Sequence, residues 1–267
     1  MYWKRYYFMK RKLFFIVGAQ RAGTTYLLHM MDQHPQINMA KPFIPEPKFF
    51  LNEDEIQKGE DYYFKKHFVT KETATVFGEK STSYLEVPEA GRKLKAMFPD
   101  AKIIITLRNP VFRAVSNYFY SKNNGLEFRS IQDSLMNNAV LESYFTTSVS
   151  PFKYIQRGEY VKYLKNYFSI FDKNNVKVLI FTRVAGNPEE IRKIYSFVGA
   201  DGDYVPHHYF DKINTNDVVY NIPKEVTDYL KEYYQPHVEE LENFLGMKIP
   251  EWKNFDRFRQ SNPVYGL

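Results

Sequence analysis

The segment near the start of the chain constrains the fold more than any other. Leu13–Val17 is a short, wholly apolar run of bulky residues that stops at Gly18. Such a run is typical of a parallel strand that is buried on both faces. A helical pattern begins at about Gly23 and should end before His34-Pro35, because the residue that precedes a proline disfavours the α conformation. The sequence therefore predicts a strand–loop–helix unit.

Further strands and helices alternate along the chain. Similar apolar runs predict buried strands at Lys102–Leu107 and Val176–Phe181. Helices are predicted from Asn109-Pro110 to about Ser121 and at 88–98, 159–169, 188–199 and 223–245, the last with a kink or break near Pro236. This alternation predicts an α/β fold, in which a P-loop-like, mostly parallel sheet is flanked by helices on both faces. Ligands of such sheets lie at the carboxyl ends of the strands.

The length and charge of the chain limit its organisation and partners. The 267 residues predict a single domain over 1–267, with 1–12 as a basic N-terminal extension. That extension contains five of the 37 basic residues, namely Lys4, Arg5, Lys10, Arg11 and Lys12. The rest of the chain then has 32 basic residues against 31 acidic ones. A body so close to neutral attracts no polyanion, so no nucleic-acid partner is expected. The basic extension could make weak contact with a membrane surface.

The absence of cysteine excludes several kinds of chemistry. The chain can form no disulfide, no thiolate zinc site and no cysteine nucleophile. It fits a reducing compartment, and we expect a cytoplasmic, bacterial protein, since the apolar run after the basic start is short for a signal peptide. No metal is expected either, because no second histidine or carboxylate stands at metal-site spacing from His29 or His34.

The loop Gly18–Thr25 has the glycine spacing of a phosphate-binding loop. In such loops, backbone N–H groups and a helix N-terminus bind an anionic phosphate. A nucleoside-triphosphatase loop would carry lysine after the second glycine, where Thr24 stands here. Arg21, inside the loop, is the cation instead, which fits a 5′-phosphosulfate better than a triphosphate. The alternative is a strand–helix turn in which Arg21 is solvated.

A second segment, Leu107–Ser116, strengthens the first. It places Arg108 at the carboxyl end of a predicted strand and Ser116 two turns into the following helix. Both side chains could meet one anion beside the first loop, since arginine offers a planar fork and serine a neutral donor. Without the first loop, the default would be an exposed arginine and an ordinary helical serine.

Together the two segments resemble the sulfotransferases that use 3′-phosphoadenosine 5′-phosphosulfate (PAPS), in particular the heparan-sulfate and related carbohydrate enzymes and their bacterial members. Glu46–Phe50 and Glu79–Tyr84 resemble further family segments, and later matches follow in order at Gly158-Glu159-Tyr160, Asn187-Pro188 and Tyr233–Pro236. The resemblance implies that PAPS is the donor, with 3′-phosphoadenosine 5′-phosphate (PAP) as product. It implies that the nucleotide binds Arg21, Ala22, Gly23, Thr24, Thr25, Arg108 and Ser116.

The chain departs from the family pattern in two places. Arg21 stands where the carbohydrate enzymes usually have lysine, although an arginine at this place is similar to the tyrosylprotein branch and to many bacterial members. The basic, glycine-containing late nucleotide loop is hard to recognise in Phe210–Asp217, where Lys212 is our choice for the nucleotide contact.

The resemblance also implies a mechanism of in-line transfer with Glu46 as the general base. Arg21 and Lys80 would stabilise the leaving phosphate, and Lys48 would orient Glu46 or contact the sulfate. Neighbouring Phe49 and Phe50 are expected to bury the carboxylate partly and so to favour its neutral form. The positive charge of Lys48 would oppose this effect. The alternatives are a solvated loop carboxylate for Glu46 and a surface lysine for Lys80.

Other functions remain open on the sequence alone. The expected acceptor is a carbohydrate hydroxyl, with a tyrosine, phenol or lipid hydroxyl as the alternative. A P-loop kinase acting on a small metabolite is disfavoured by the missing loop lysine. A non-catalytic nucleotide-binding protein is the third reading. A shift in melting temperature with ATP–Mg²⁺ would indicate a kinase, and a shift with PAP would indicate a sulfotransferase.

Overall fold

The computed structural model describes residues 11–137, 151–210 and 222–253, and the backbone of two short strands beyond them. Its main sheet has five parallel strands in the order β2-β3-β1-β4-β5. These strands are β1 Lys12–Gly18, β2 Ile37–Met39, β3 Val76–Lys80, β4 Lys102–Leu107 and β5 Val176–Ile180. A separate antiparallel pair joins β6 Thr215–Asn216 to β7 Val264–Tyr265.

Helices connect the strands of the sheet. They are α1 Thr24–Gln33, α2 Glu53–Ile56, α3 Gly59–His67, α4 Pro88–Met97, α5 Pro110–Asn123, α6 Ile131–Met136, α7 Tyr160–Ile170, α8 Phe181–Val184, α9 Pro188–Val198 and α10 Lys224–Leu245. Among the described residues, none of these helices is long and apolar enough to cross a membrane.

The two faces of the sheet have separate apolar cores. Alternate residues of a strand point to opposite faces, so Phe15 and Val17 pack with α4 and α7, whereas Phe14 and Ile16 pack with α1 and α9. Val115 belongs to a third core that α5 and α6 form with α10. The predicted fold class, a mostly parallel sheet with helices on both faces, is confirmed.

Most predicted elements lie where the patterns placed them, but their ends differ. Strand β5, predicted to end at Phe181, ends at Ile180, and Phe181 begins α8. Of the kink or break predicted near Pro236, the break is wrong, because α10 continues through it, and the kink stays a prediction. One proline removes a single N–H donor, and the neighbouring bonds of a long helix can maintain it.

The sequence did not predict β2 and β3. Strand β3 has the sequence VFGEK, in which glycine and two charged residues replace the bulky apolar run that marks a buried strand. Its position between β2 and β1 matters for function, because it brings Lys80 to the carboxyl edge of the sheet.

The N-terminal extension is shorter than predicted. Lys12 is the first residue of β1, and its Nζ donates to the carbonyl of Gly199 at 2.7 Å. The guanidinium of Arg11 lies 3.9 Å from the ring centroid of Phe64. Two of the five basic residues therefore belong to the fold. Residues 1–10, with the predicted membrane contact, lie outside the described residues, and the single domain stays a prediction.

Candidate active site

The loop between β1 and α1 has the geometry of an anion cradle. Arg21 has φ +65° and Gly23 has φ +82°, so the chain turns sharply into α1. The first N–H groups of a helix have no partner within the helix, and here these belong to Thr24 and Thr25. The first turn of α1 contains no acidic residue that would offset its positive end. The loop therefore presents backbone donors and a cation to the same edge.

The structure explains why glycine is needed at position 23. A Cβ atom there would lie 2.1 Å from the buried ring of Phe181, and the positive φ adds strain. Gly23→Ala is expected to lower the free energy of unfolding by about 1–3 kcal/mol more than Gly125→Ala. Gly125 is the matched control, because it has φ +69° with nothing within 4 Å of its added Cβ. Urea unfolding measures both; equal losses would show that Phe181 imposes no constraint.

Arg21 lies at the centre of a cluster with Arg108 and Ser116. Its Nε donates to Ser116 Oγ at 3.3 Å, and its carbonyl accepts from Arg108 Nη1 at 3.4 Å. Its guanidinium lies 4.6 Å from the ring centroid of Tyr120. Arg108 is 8% exposed, and Tyr160 Oη donates to its carbonyl at 2.6 Å. The end of β4 and the second turn of α5 thus meet the first loop, as their spacing predicted.

Arg21 is held in an unfavourable electrostatic environment. Burial lowers the pKa of Arg21 to about 10, and the positive charges of Arg108 and Arg113 add to this shift, while Tyr120 opposes it. Within the described part of the chain, buried Nη2 of Arg21 has no hydrogen-bond partner. A buried donor without a partner is costly, so the cluster fits a phosphate or phosphosulfate oxygen.

A second cluster lies at the end of β3. Lys80 Nζ is 2.9 Å from Glu46 Oε1, and their side chains are 9% and 16% exposed. Thr82 donates to Glu46 Oε2 through its backbone N at 2.9 Å, and its Oγ1 lies 3.0 Å from both carboxylate oxygens. The alternatives of a solvated carboxylate and a surface lysine are therefore wrong. Thr82 lies within the family-like segment Glu79–Tyr84, but no role was predicted for it.

The surroundings of Glu46 differ from those expected. Phe49 and Phe50 are buried in the core, where Phe50 packs against the rings of Phe15 and Phe98, and polar partners hold the carboxylate of Glu46. Lys48 has φ +50°, and its backbone N donates to Ser81 Oγ at 2.9 Å. The role predicted for its side chain stays a prediction.

The two clusters lie side by side on the sheet. Strands β3 and β1 are neighbours, and Lys80 pairs with Ile16. Gln20, from the first loop, donates to Glu86 Oε1 at 3.0 Å, and its Nε2 is 3.5 Å from Ser83 Oγ. The cradle on β1 and the carboxylate beside β3 therefore share one edge.

A buried network behind the cradle was not predicted. Arg157 Nε donates to Glu86 Oε1 at 2.5 Å, and Arg157 Nη1 donates to Asn117 Oδ1 at 3.0 Å. Fully buried Arg113 donates to the same Asn117 oxygen at 3.2 Å. Arg157 lies 71 positions from Glu86 and 40 positions from Asn117, so no local pattern indicates its bonds. They hold α5 and the first loop around Arg21.

The sequence assigned Lys212 to the nucleotide and no metal to His29 or His34. Lys212 lies outside the described residues. His34 Nε2 is 2.9 Å from the carbonyl of Asp201, and His29 packs against the ring of Phe43. Among the residues that the structure describes, no group of three histidine, aspartate or glutamate side chains could hold a metal ion.

The fold and the site together define an α/β protein with an arginine-containing anion cradle beside a polar carboxylate–lysine pair. The family model described as the sulfotransferase domain matches residues 11–236 of this chain. The chain therefore belongs to the sulfotransferase family, and the predicted family and enzyme class are confirmed.

One solved structure and two curated proteins are similar to this chain. A sulfotransferase from Alicyclobacillus acidocaldarius superposes with a TM-score of 0.72 at 25% identity, over 92% of this chain and 99% of its own. Heparan sulfate glucosamine 3-O-sulfotransferase 3A1 of Mus musculus is 28% identical over 73% of this chain and 47% of its own length. Bifunctional heparan sulfate N-deacetylase/N-sulfotransferase 1 of Caenorhabditis briggsae is 29% identical over 66% of this chain and 21% of its own length. The chain thus spans less than half of either curated relative.

Proposed function

We propose that this protein transfers a sulfuryl group from PAPS to a hydroxyl of a carbohydrate, with Glu46 as the general base. The observation that carries the proposal is the unpartnered, buried Nη2 of Arg21, held at the N-terminus of α1 on the same sheet edge as the Glu46–Lys80 pair. A cation in that position can stabilise charge that develops on a leaving group.

The donor would bind across the ends of the adjacent strands β1 and β4. The 5′-phosphosulfate fits the first loop, where Arg21 and the amides of Thr24 and Thr25 converge. The 3′-phosphate fits Arg108, which a planar guanidinium suits, and Ser116 beside it. Lys212 remains a proposed contact to the nucleotide.

The transfer step balances with the residues at this edge. The acceptor oxygen forms a bond to sulfur as the bond between sulfur and the bridging oxygen of the 5′-phosphate breaks. The bonding pair leaves with that oxygen, giving PAP, and Arg21 and Lys80 offset its negative charge. Glu46 takes the hydroxyl proton. Glu46 already accepts from Lys80 and from the backbone N of Thr82, and a remaining lone pair of the carboxylate would face the acceptor hydroxyl.

The choice of a carbohydrate acceptor rests on the relatives named for heparan sulfate. Because this chain spans less than half of their length, their substrates support the class of acceptor only. A phenol, tyrosine or lipid hydroxyl is the competing acceptor class for the same chemistry.

The proposal is tested by incubating the protein with sulfur-labelled PAPS and a panel of oligosaccharides, glycolipids, phenols and tyrosine peptides. We expect label to enter a carbohydrate, with one PAP released for each sulfate transferred. PAP should also raise the melting temperature, since a ligand selective for the folded state stabilises it.

Three other outcomes would change the proposal. Label entering only a phenol, peptide or lipid would replace the acceptor class. A melting shift with ATP–Mg²⁺ but none with PAP would indicate a kinase. A shift with PAP and no transfer to any member of the panel would indicate a nucleotide-binding protein without this activity.

A further inference from the structure

A buried carboxylate lies beside the segment that carries Glu46, and the transfer step above does not use it. Glu79 is 0% exposed near the end of β3. Tyr63 Oη donates to its Oε2 at 2.7 Å, and the hydroxyls of Ser81 and Tyr84 each donate to its Oε1 at 2.6 Å. Burial raises the pKa of Glu79, and the hydrogen bonds from these three hydroxyls oppose the shift.

Two of these hydroxyls also hold the main chain that follows Glu46. The backbone N of Lys48 donates to Ser81 Oγ at 2.9 Å, and the backbone N of Phe50 donates to Tyr84 Oη at 3.1 Å. A backbone N–H can only donate, so each hydroxyl accepts there and turns its single proton to the carboxylate. The carboxylate therefore orients both hydroxyls, and both hydroxyls fix the segment.

The third hydroxyl provides a natural comparison. Tyr63 is as deeply buried as Tyr84, at 0% exposure, and it donates to the same carboxylate. Among the hydrogen bonds that the structure describes, that hydroxyl contacts no backbone amide of residues 46–50. Its removal therefore weakens the carboxylate's surroundings without releasing the segment.

We propose that Glu79 is a positioning residue for the transfer step, which acts through Ser81 and Tyr84 to fix the main chain that presents Glu46. This inference rests on the proposed function, in which Glu46 takes the proton. In the described part of the chain, the relay runs from Glu79 to the backbone of residues 48 and 50, which follow Glu46 and belong to neither the first loop nor β4. Its loss should therefore affect transfer and spare donor binding.

The test compares three variants, each of which removes one of the buried hydroxyls that donate to Glu79. Tyr84→Phe should lower kcat by about tenfold to a hundredfold, because small displacements of a reacting group are costly, with the KM for PAPS changed by less than about twofold. Ser81→Ala should behave in the same way. Tyr63→Phe should keep kcat within about threefold of the wild-type value.

Two further measurements separate positioning from general damage. Hydrogen exchange in the peptide that spans residues 46–50 should become faster in Tyr84→Phe and not in Tyr63→Phe. In a Glu46→Gln background, Tyr84→Phe should have almost no additional effect on kcat, because it acts through the residue already replaced.

Equal losses of kcat in Tyr63→Phe and Tyr84→Phe would overturn the inference, as would wild-type kcat in Tyr84→Phe or fully additive effects with Glu46→Gln. A wild-type protein that transfers no sulfuryl group would defeat the proposed function instead. The exchange comparison needs no activity, so unchanged exchange in Tyr84→Phe would overturn the relay by itself.

Discussion

Glu46→Gln is expected to lower kcat by roughly 10²–10⁴-fold while PAP affinity stays almost unchanged. Glutamine keeps the size of the side chain and an oxygen that can accept from Thr82, but it cannot take the acceptor's proton. Since a general base must be ionised, wild-type activity should fall as the pH falls, and this acidic limb should disappear in the variant. Rates measured under chemistry-limited conditions at several pH values test both expectations.

The matched control is Glu89→Gln, which removes the same charge from an exposed pair with Arg92 on α4. It should leave kcat and its pH dependence unchanged. Glu46→Gln also deprives Lys80 of its carboxylate partner. The rise in melting temperature with PAP must therefore be measured in this variant to show that the cradle is intact. A Glu46→Gln enzyme that kept more than about a tenth of wild-type kcat would exclude Glu46 as the base.

Arg21→Ala is expected to lower kcat by about 10²–10³-fold, the scale for losing one preorganised electrostatic donor. The charge of Arg21 matters most as the bond to the bridging oxygen breaks. Arg21→Lys retains that charge and loses the fork that reaches Ser116, so it should keep much of the activity. Initial rates at varied PAPS concentration separate kcat from KM.

Arg92→Ala is the control for the loss of one positive charge, since that side chain is 58% exposed on α4. It should behave as the wild type. If Arg21→Ala raised KM for PAPS and left kcat unchanged, Arg21 would bind the ground state and the transition state equally. A role in stabilising the leaving group would then be wrong.

The residues that the sequence placed correctly belong to strong local patterns. The apolar runs of β1 and β4 marked the two central strands, and parallel strands bring their carboxyl ends to one edge. Arg108 follows β4 directly, and Ser116 follows two turns into α5, so their meeting with Arg21 could be expected. The bonds of Glu46 could not be expected, because their donors, Lys80 and Thr82, lie 34 and 36 positions further along the chain.

The missed features depend on tertiary contacts. Strand β3 lacks the apolar pattern of a buried strand, because charged Glu79 occupies one of its buried positions. Three hydroxyls that donate to this carboxylate make its burial possible. The pairing of Glu86 with Arg157 joins residues 71 positions apart and follows from the packing of helices against the first loop. A charged residue at a buried position looks like a surface residue until its partners are known.

The strand order separates the proposed site into exchangeable parts. The donor would occupy the ends of β1 and β4, while the chain that leaves edge strand β2 leads through residues 40–46 to Glu46, the proposed base. Ile44 in this connection is 87% exposed and Pro45 is exposed too, whereas Phe43 packs against the core. Loops grafted at 44–45 would then offer a route to new acceptor preferences with Phe43 and the nucleotide cradle left as they are, which makes this connection a natural place for laboratory diversification.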